Sequence, residues 1–253
     1  MRLSCLDDGH RLRGRLFLRM TSRDAPDVVR MLLYRPEFFA RPLLALTVTA
    51  MRGPSYWTVG EREDMARRVA ERHRCAFCFD SHAEMTRLAA HDPAETRAVE
   101  DAPAHAVRDA ARVTLVWDVV NRLGNAFGFA LRGDQVHTGT RALHRFGYRF
   151  PGFLLAGGKD AGHDDPVENL RHAVFAAPAV TDRELRAAAA AGQPDEPWRS
   201  YTAMVRDASY RITDADIARL LAAHSEDEVF EVTVAAAVGA ALKDYDADQT
   251  MIP

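Results

Sequence analysis

Apolar positions along this chain recur mostly three and four residues apart, the period of a helix with one buried face. From Asp27 onward Val28, Val29, Leu32 and Leu33 follow that spacing, and Pro36 then Pro42 mark a turn and the start of the next helix. An apolar run over 43–51 closes at Gly53-Pro54. Thr58-Val-Gly-Glu61 has the form of a capping box, and the helix it opens aligns Met65, Ala66, Val69 and Ala70 on one stripe. Another helix begins at Cys75 and runs to about residue 90. After a polar connection bracketed by Pro93 and Pro103, residues 104–131 read as a largely buried helix with Val113, Leu115, Val116, Trp117, Val119, Val120 and Leu123.

The second half repeats the pattern. A glycine-rich, charge-dotted stretch over 157–162 reads as a loop or linker. Beyond it Thr181 is expected to cap a helix over 183–191, Thr213 with Asp216 to cap the next, and Ser225 with Glu228 to open an apolar helix over 229–242. Only residues 12–20 alternate in a way that also suits a strand. The expected fold class is all-α. The expected organisation is an unplaced segment over 1–25, a helical unit over 26–150, a linker over 151–165, and a C-terminal helical unit over 166–253 that packs on the first. Two long apolar helices, 106–123 and 228–245, hint at two related halves.

Composition narrows the function classes. The chain has 253 residues, 47% hydrophobic and 27% charged, as in an ordinary globular protein that can bury a real core. A net charge of -3 gives no electrostatic case for nucleic acid or an anionic membrane as partner. No run approaches the roughly 20 apolar residues of a membrane span. The apolar triplet Leu16-Phe17-Leu18 is interrupted on both sides by arginines, unlike a signal-peptide core. A cytoplasmic location is expected. In a reducing compartment three cysteines make no disulfide framework, so the close pair Cys75 and Cys78 reads as catalytic or metal-binding.

At 100° per residue, offsets of three and seven bring Cys75, Cys78 and His82 within about 60° of one another on one helix face. Cys75 falls at the helix start, where unpaired amides and the dipole favour a thiolate. One helical turn beyond Cys78, His82 can take or return a proton. That supplies a nucleophilic sulfur, a second sulfur within disulfide reach and an acid/base group. A structural zinc site needs four ligands, and no second ligand pair is present. A thioredoxin-type motif belongs in a βαβ context, which the pattern lacks. The bland alternative is a pair of buried structural cysteines. His73 reads as a solvated helix-end histidine, and Trp57, Trp117 and Trp198 as core or interface residues.

With those residues in view, the chain resembles the AhpD-like alkylhydroperoxidase family of the carboxymuconolactone decarboxylase superfamily. The resemblance rests on Tyr34-Arg-Pro-Glu-Phe-Phe, Arg52-Gly-Pro, Gly60-Glu-Arg-Glu63 and Cys75-Ala-Phe-Cys78-Phe-Asp-Ser-His82. Glu63, Cys75, Cys78 and His82 match a Glu-(eleven residues)-Cys-x-x-Cys-x-x-x-His pattern in spacing and type. The helix around Val120-Asn-Arg-Leu-Gly-Asn-Ala-Phe-Gly128 is similar to the one that follows in the family. Phe77 stands where the best-known members carry a second histidine, and the stretch after His82 is shorter than theirs, so helices over 201–245 are expected to supply packing. The resemblance implies an oligomeric all-α thiol peroxidase without metal or organic cofactor, acting on a small hydroperoxide and recharged by a dithiol or protein reductant. Carried over, Cys78 is the peroxidatic thiol, Cys75 the resolving thiol and proton donor, and His82 and Glu63 the proton relay. Two other readings stay open: a decarboxylase- or hydrolase-like reaction run by His82 and Glu63, and a non-catalytic helical protein whose thiols sense redox state.

Overall fold

The helical periodicity is realised throughout the computed structural model, which describes residues 1–20, 25–155 and 162–251; no strand occurs among them. The chain opens with a single turn, α1 (Cys5–Asp8), and α2 (Leu12–Met20). The strand alternative for 12–20 is therefore overturned. Gly14 and Leu18, four residues apart, form the buried side of α2, so the helical period governs a segment whose alternation was ambiguous. Next come α3 (Asp27–Tyr34), a π-helical turn (Pro36–Ala40) and α4 (Arg41–Arg52), with prolines at the starts of the last two, where a missing N–H costs nothing.

Helix α5 (Val59–Arg72) begins with the reciprocal Thr58–Glu61 capping box, and α6 (Ala76–Leu88) follows after a tight reversal at Arg74, whose φ of 53° is left-handed. The long α7 (Ala104–Phe127) stops at Gly128 in the left-handed region, and α8 (Gln135–Phe146) stops at Gly147 in the same way. Then come α9 (Pro166–Phe175), α10 (Arg183–Ala191), α11 (Trp198–Ala208), α12 (Asp214–Leu221) and α13 (Glu226–Met251). The Thr213–Asp216 box caps α12, and Ser225 and Glu228 bond reciprocally at 2.8 and 3.2 Å ahead of α13. Thr181 does not cap α10. Asp182 accepts from the Leu185 amide at 2.6 Å instead, and Thr181 donates its amide and hydroxyl to the buried Glu231. The glycines at 157–161 lie outside the described residues.

Helix α7 is the spine. It packs on α4, α5 and α6, and on α13. Helix α13 is buried nearly all round from Val229 to Leu242. Its close approach to α10 depends on Gly239, where a Cβ would lie 2.5 Å from the Ala190 Cα. Phe230 of α13 inserts among Tyr34, Phe38, Phe39 and Phe127, with ring centroids 5.1–6.2 Å away. Beside it Arg35 pairs with buried Glu231 at 2.6 Å. Residues 26–150 and 166–251 thus contribute to one continuous hydrophobic core. Phe230→Ala is expected to lower unfolding stability by about 4 kcal/mol in urea titrations. A chain cut within 157–162 is expected to lose its cooperative melt, because the aromatic pocket for Phe230 is then left open.

Candidate active site

The site is assembled by the α5–α6 hairpin against α7. The Cys75 amide donates to the Ala70 carbonyl at 3.0 Å, closing α5, and Cys75 then serves as the N-cap residue of α6. This sets Cys78 in the first turn and His82 one turn later. Both cysteines are free thiols and almost wholly buried, at 3% and 2% exposure. The Cys75 sulfur is seated against Gly124 of α7, where a Cβ would come within 3.3 Å of Sγ. Phe77 turns its ring onto Phe129, with centroids 5.4 Å apart, and supplies packing.

Glu63 and His82 are brought together, with Nδ1 of His82 2.8 Å from a Glu63 carboxylate oxygen. Glu63 has no exposed side-chain surface, yet it is fully satisfied: Arg52 donates at 2.7 Å, and the Tyr148 hydroxyl lies 2.9 and 3.0 Å from its two oxygens. Burial alone would raise its pKa. The His82 hydrogen bond and charge, followed by the Arg52 charge and hydrogen bond, outweigh burial and hold the carboxyl below its ordinary range. The Tyr148 hydroxyl is pushed well up by burial and by the Glu63 charge, so it stays a donor. With Glu63 ionised, Nδ1 of His82 carries the proton of that hydrogen bond. Nε2 is left without a hydrogen-bond partner among the described residues, and the ring is steadied by the Trp117 edge, 4.0 Å between centroids.

Arg52 and Tyr148 lie outside the cysteine motif, and no role could be read for them from sequence. Tyr148 is a non-glycine residue in the left-handed region (φ 63°), directly after Gly147; that conformation turns its hydroxyl inward and costs backbone energy that the Glu63 contacts offset. Gly147-Tyr148 carries no spacing that would have exposed this. His73 is not a solvated helix-end residue. It hydrogen-bonds Asp118 of α7, which Arg122 braces at 3.1 Å, so the imidazole ties the hairpin turn to the spine.

The two thiols differ. The Cys75 pKa is lowered chiefly by a hydrogen bond from the Cys78 side chain, against burial, with help from the Cys78 amide. The Cys78 pKa is raised by donating that bond and by burial. The pair is thus unequal: Cys75, at the helix N-cap, is the more acidic thiol and Cys78 the less acidic. Access runs the other way. A cavity of about 50 Å³ is lined by Cys78, Ser81, His82, Met85, Trp117 and Tyr148 among others, and Cys75 is not on its wall. At roughly 10–15 Å³ per water, it can take about three to five water-sized groups. Among the described residues no cluster of three or more His, Cys, Asp and Glu side chains is arranged to hold a metal ion. Cys5 lies away from the motif on α1, its thiol pushed up to about 12 mainly by burial, so it is a poor nucleophile.

No protein-family model matches the chain, nor does any curated protein or solved structure. No helix among the described residues is long and apolar enough to cross a membrane.

Glu63→Gln is expected to cost about 3 kcal/mol at neutral pH, since it leaves the largely covered Arg52 without its counter-charge. Because the folded carboxyl is depressed, its contribution is fully present above the unfolded value of about 4.3 and is lost as pH falls through the folded pKa. Urea titrations from pH 7 to pH 3 should therefore show a steeper acid loss in the wild type than in Glu63→Gln.

Proposed function

We propose that the protein is a thiol-dependent peroxidase of the AhpD-like type, cycling Cys75 and Cys78 between dithiol and disulfide. The observation that carries this reading is that Cys78 and His82 line one small cavity while Cys75, three residues before Cys78, supplies a second buried free thiol. The proton on Cys78 passes to Nε2 of His82, whose positive charge Glu63 stabilises from the opposite nitrogen. The Cys78 thiolate attacks the terminal peroxide oxygen. The O–O bond breaks, the alkoxide takes the proton from His82 and leaves as alcohol, and Cys78 becomes a sulfenic acid. Cys75 then releases its proton and its sulfur attacks the Cys78 sulfur, forming the S–S bond and expelling hydroxide, which takes up that proton as water. One hydroperoxide and two thiols yield one alcohol, one water and one disulfide.

A dithiol or protein reductant closes the cycle, and the chemistry calls for no metal or organic cofactor. The reading sets the protein in a reducing cytoplasm as a homo-oligomer, in keeping with the family it resembles. With Phe77 at the position of the family's second histidine, proton handling falls on His82 alone. One feature favours the peroxidase over acid/base chemistry without sulfur: Cys78, one of the two motif thiols, forms part of the cavity wall.

Stoichiometric hydroperoxide should remove two hydrogens from the peptide spanning 75–78, as read by mass spectrometry. Cys78→Ser should abolish peroxide consumption, Cys75→Ser should trap a sulfenic acid on Cys78, and Cys5→Ser should leave turnover intact. His82→Gln should slow peroxide attack by about 100-fold, the usual scale of general acid–base assistance. Unchanged turnover in Cys78→Ser would sink the assignment.

A further inference from the structure

Helix α2 is reversed for a surface helix. Its inward side is Gly14 and Leu18. At 100° per residue, Leu12, Leu16 and Met20 fall on the opposite side, where polar residues belong, and they are 74%, 59% and 76% exposed. Arg13, Arg15 and Arg19 flank this stripe, are exposed, and form no ion pair with any described residue; Arg11 is held by Glu37.

A second segment lies alongside. Helix α2 packs beside the turn Gly152–Leu155, and Phe17 shares the wall of an open groove with Phe146, Arg149 and Phe150. Residues 9–20 contain four arginines and residues 135–155 contain three, Arg141, Arg145 and Arg149, without an aspartate or glutamate in either. The same two segments hold five of the eight large apolar side chains exposed among the described residues, Phe146 and Phe153 joining the α2 stripe. Of the other three, Tyr56 and Tyr210 are covered by the guanidinium groups of Arg97 and Arg74. In a chain of net charge -3, basic and apolar character are thus concentrated on one face.

We propose that this face seats the protein on an anionic lipid bilayer. Leucine, methionine and phenylalanine enter the acyl boundary while the flanking arginines meet the phosphate layer. A two-fold contact with a second copy suits the surface badly, because the same patch would face itself and set arginine against arginine. The groove, about 690 Å³ and mostly apolar, is of a size to take an acyl chain. It shares Val29, Leu143, Tyr148 and Phe150 with the wall of the Cys78 cavity, so in a docked protein these side chains would stand between the thiol site and the bilayer. That last consequence rests on the peroxidase reading; the docking does not.

The test is flotation of the full chain with vesicles of phosphatidylcholine alone and of phosphatidylcholine with one part in three phosphatidylglycerol. Binding should be at least about 10-fold tighter to the anionic vesicles and should weaken as salt is raised. Leu16→Glu, and separately the triple change Arg13→Glu, Arg15→Glu, Arg19→Glu, should each weaken it by about 10-fold or more. These side chains are exposed, so thermal melts should be unchanged; if a variant does melt early, the salt and lipid dependence of the wild type decides alone. Cys78→Ser should float like the wild type, separating this proposal from the enzymatic one. Equal binding to both vesicles, no binding, or undiminished binding of well-folded variants would overturn it. So would light scattering in which Leu16→Glu halves the mass of an oligomer that ignores vesicles.

Discussion

A carboxylate taken wholly out of water is tolerated only when charged and neutral donors replace its hydration, and Glu63 sets that condition here. Glu63, on α5, draws its partners from three other places in the chain: Arg52 at the end of α4, His82 on α6, and Tyr148 just beyond α8. None of these elements can shift by much without leaving a buried charge exposed to an apolar wall. The same demand explains the left-handed Tyr148, since an extended or helical conformation there would aim the hydroxyl elsewhere. It also fixes the histidine. Held through Nδ1, the ring stands on the cavity wall with Cys78. One buried charge thereby organises both the packing of four segments and the chemistry open to His82.

The thiol pair adds a second, smaller constraint. Acidity and access are divided between the two sulfurs: the N-cap position and the Cys78 hydrogen bond favour a thiolate on Cys75, whereas only Cys78 meets the cavity. A helix-start argument applied to the motif as a whole would make both thiols acidic. Two neighbouring buried sulfurs do not both become thiolates at once, because burial penalises the second charge. The proposed cycle uses the difference. The sulfur that meets peroxide must first give up its proton, which gives the His82–Glu63 pair its work. Cys75, the more acidic of the two, gives up its own proton afterwards to attack the oxidised neighbour.

Much of this was legible in the residue order. The all-α class, the capping boxes at Thr58, Thr213 and Ser225, and the common face of Cys78 and His82 follow from local rules that act over three or four residues. The pairing of Glu63 with His82 was legible only through the spacing of a resembled motif, because nothing local distinguishes Glu63 from a solvated helix glutamate. What stayed hidden was long-range. Arg52 and Tyr148 reach Glu63 from 11 and 85 residues away. His73 looked solvated until α7 supplied Asp118. Thr181 looked like a cap because the buried Glu231 that claims it lies 50 residues further on. The helical or extended state of 12–20 was undecided because Leu12 and Leu16 face outward, and an outward apolar stripe breaks the periodicity from which a surface helix is read.

Helix α7 joins these levels. One part of its surface is occupied by the site: Gly124 makes room for the Cys75 sulfur, Trp117 steadies His82, and Asp118 anchors the turn through His73. Another part is covered by α13, whose Phe230 also locks Tyr34, Phe38 and Phe39 in place. A helix with so many apolar positions around its girth cannot be covered by the α5–α6 hairpin and α4 alone. The C-terminal helices are therefore not an appendage to a finished helical unit. They fix the spine against which the cysteines, the histidine and the buried carboxylate take their positions, so a change in α13 packing reaches the thiols through α7 without touching either sulfur.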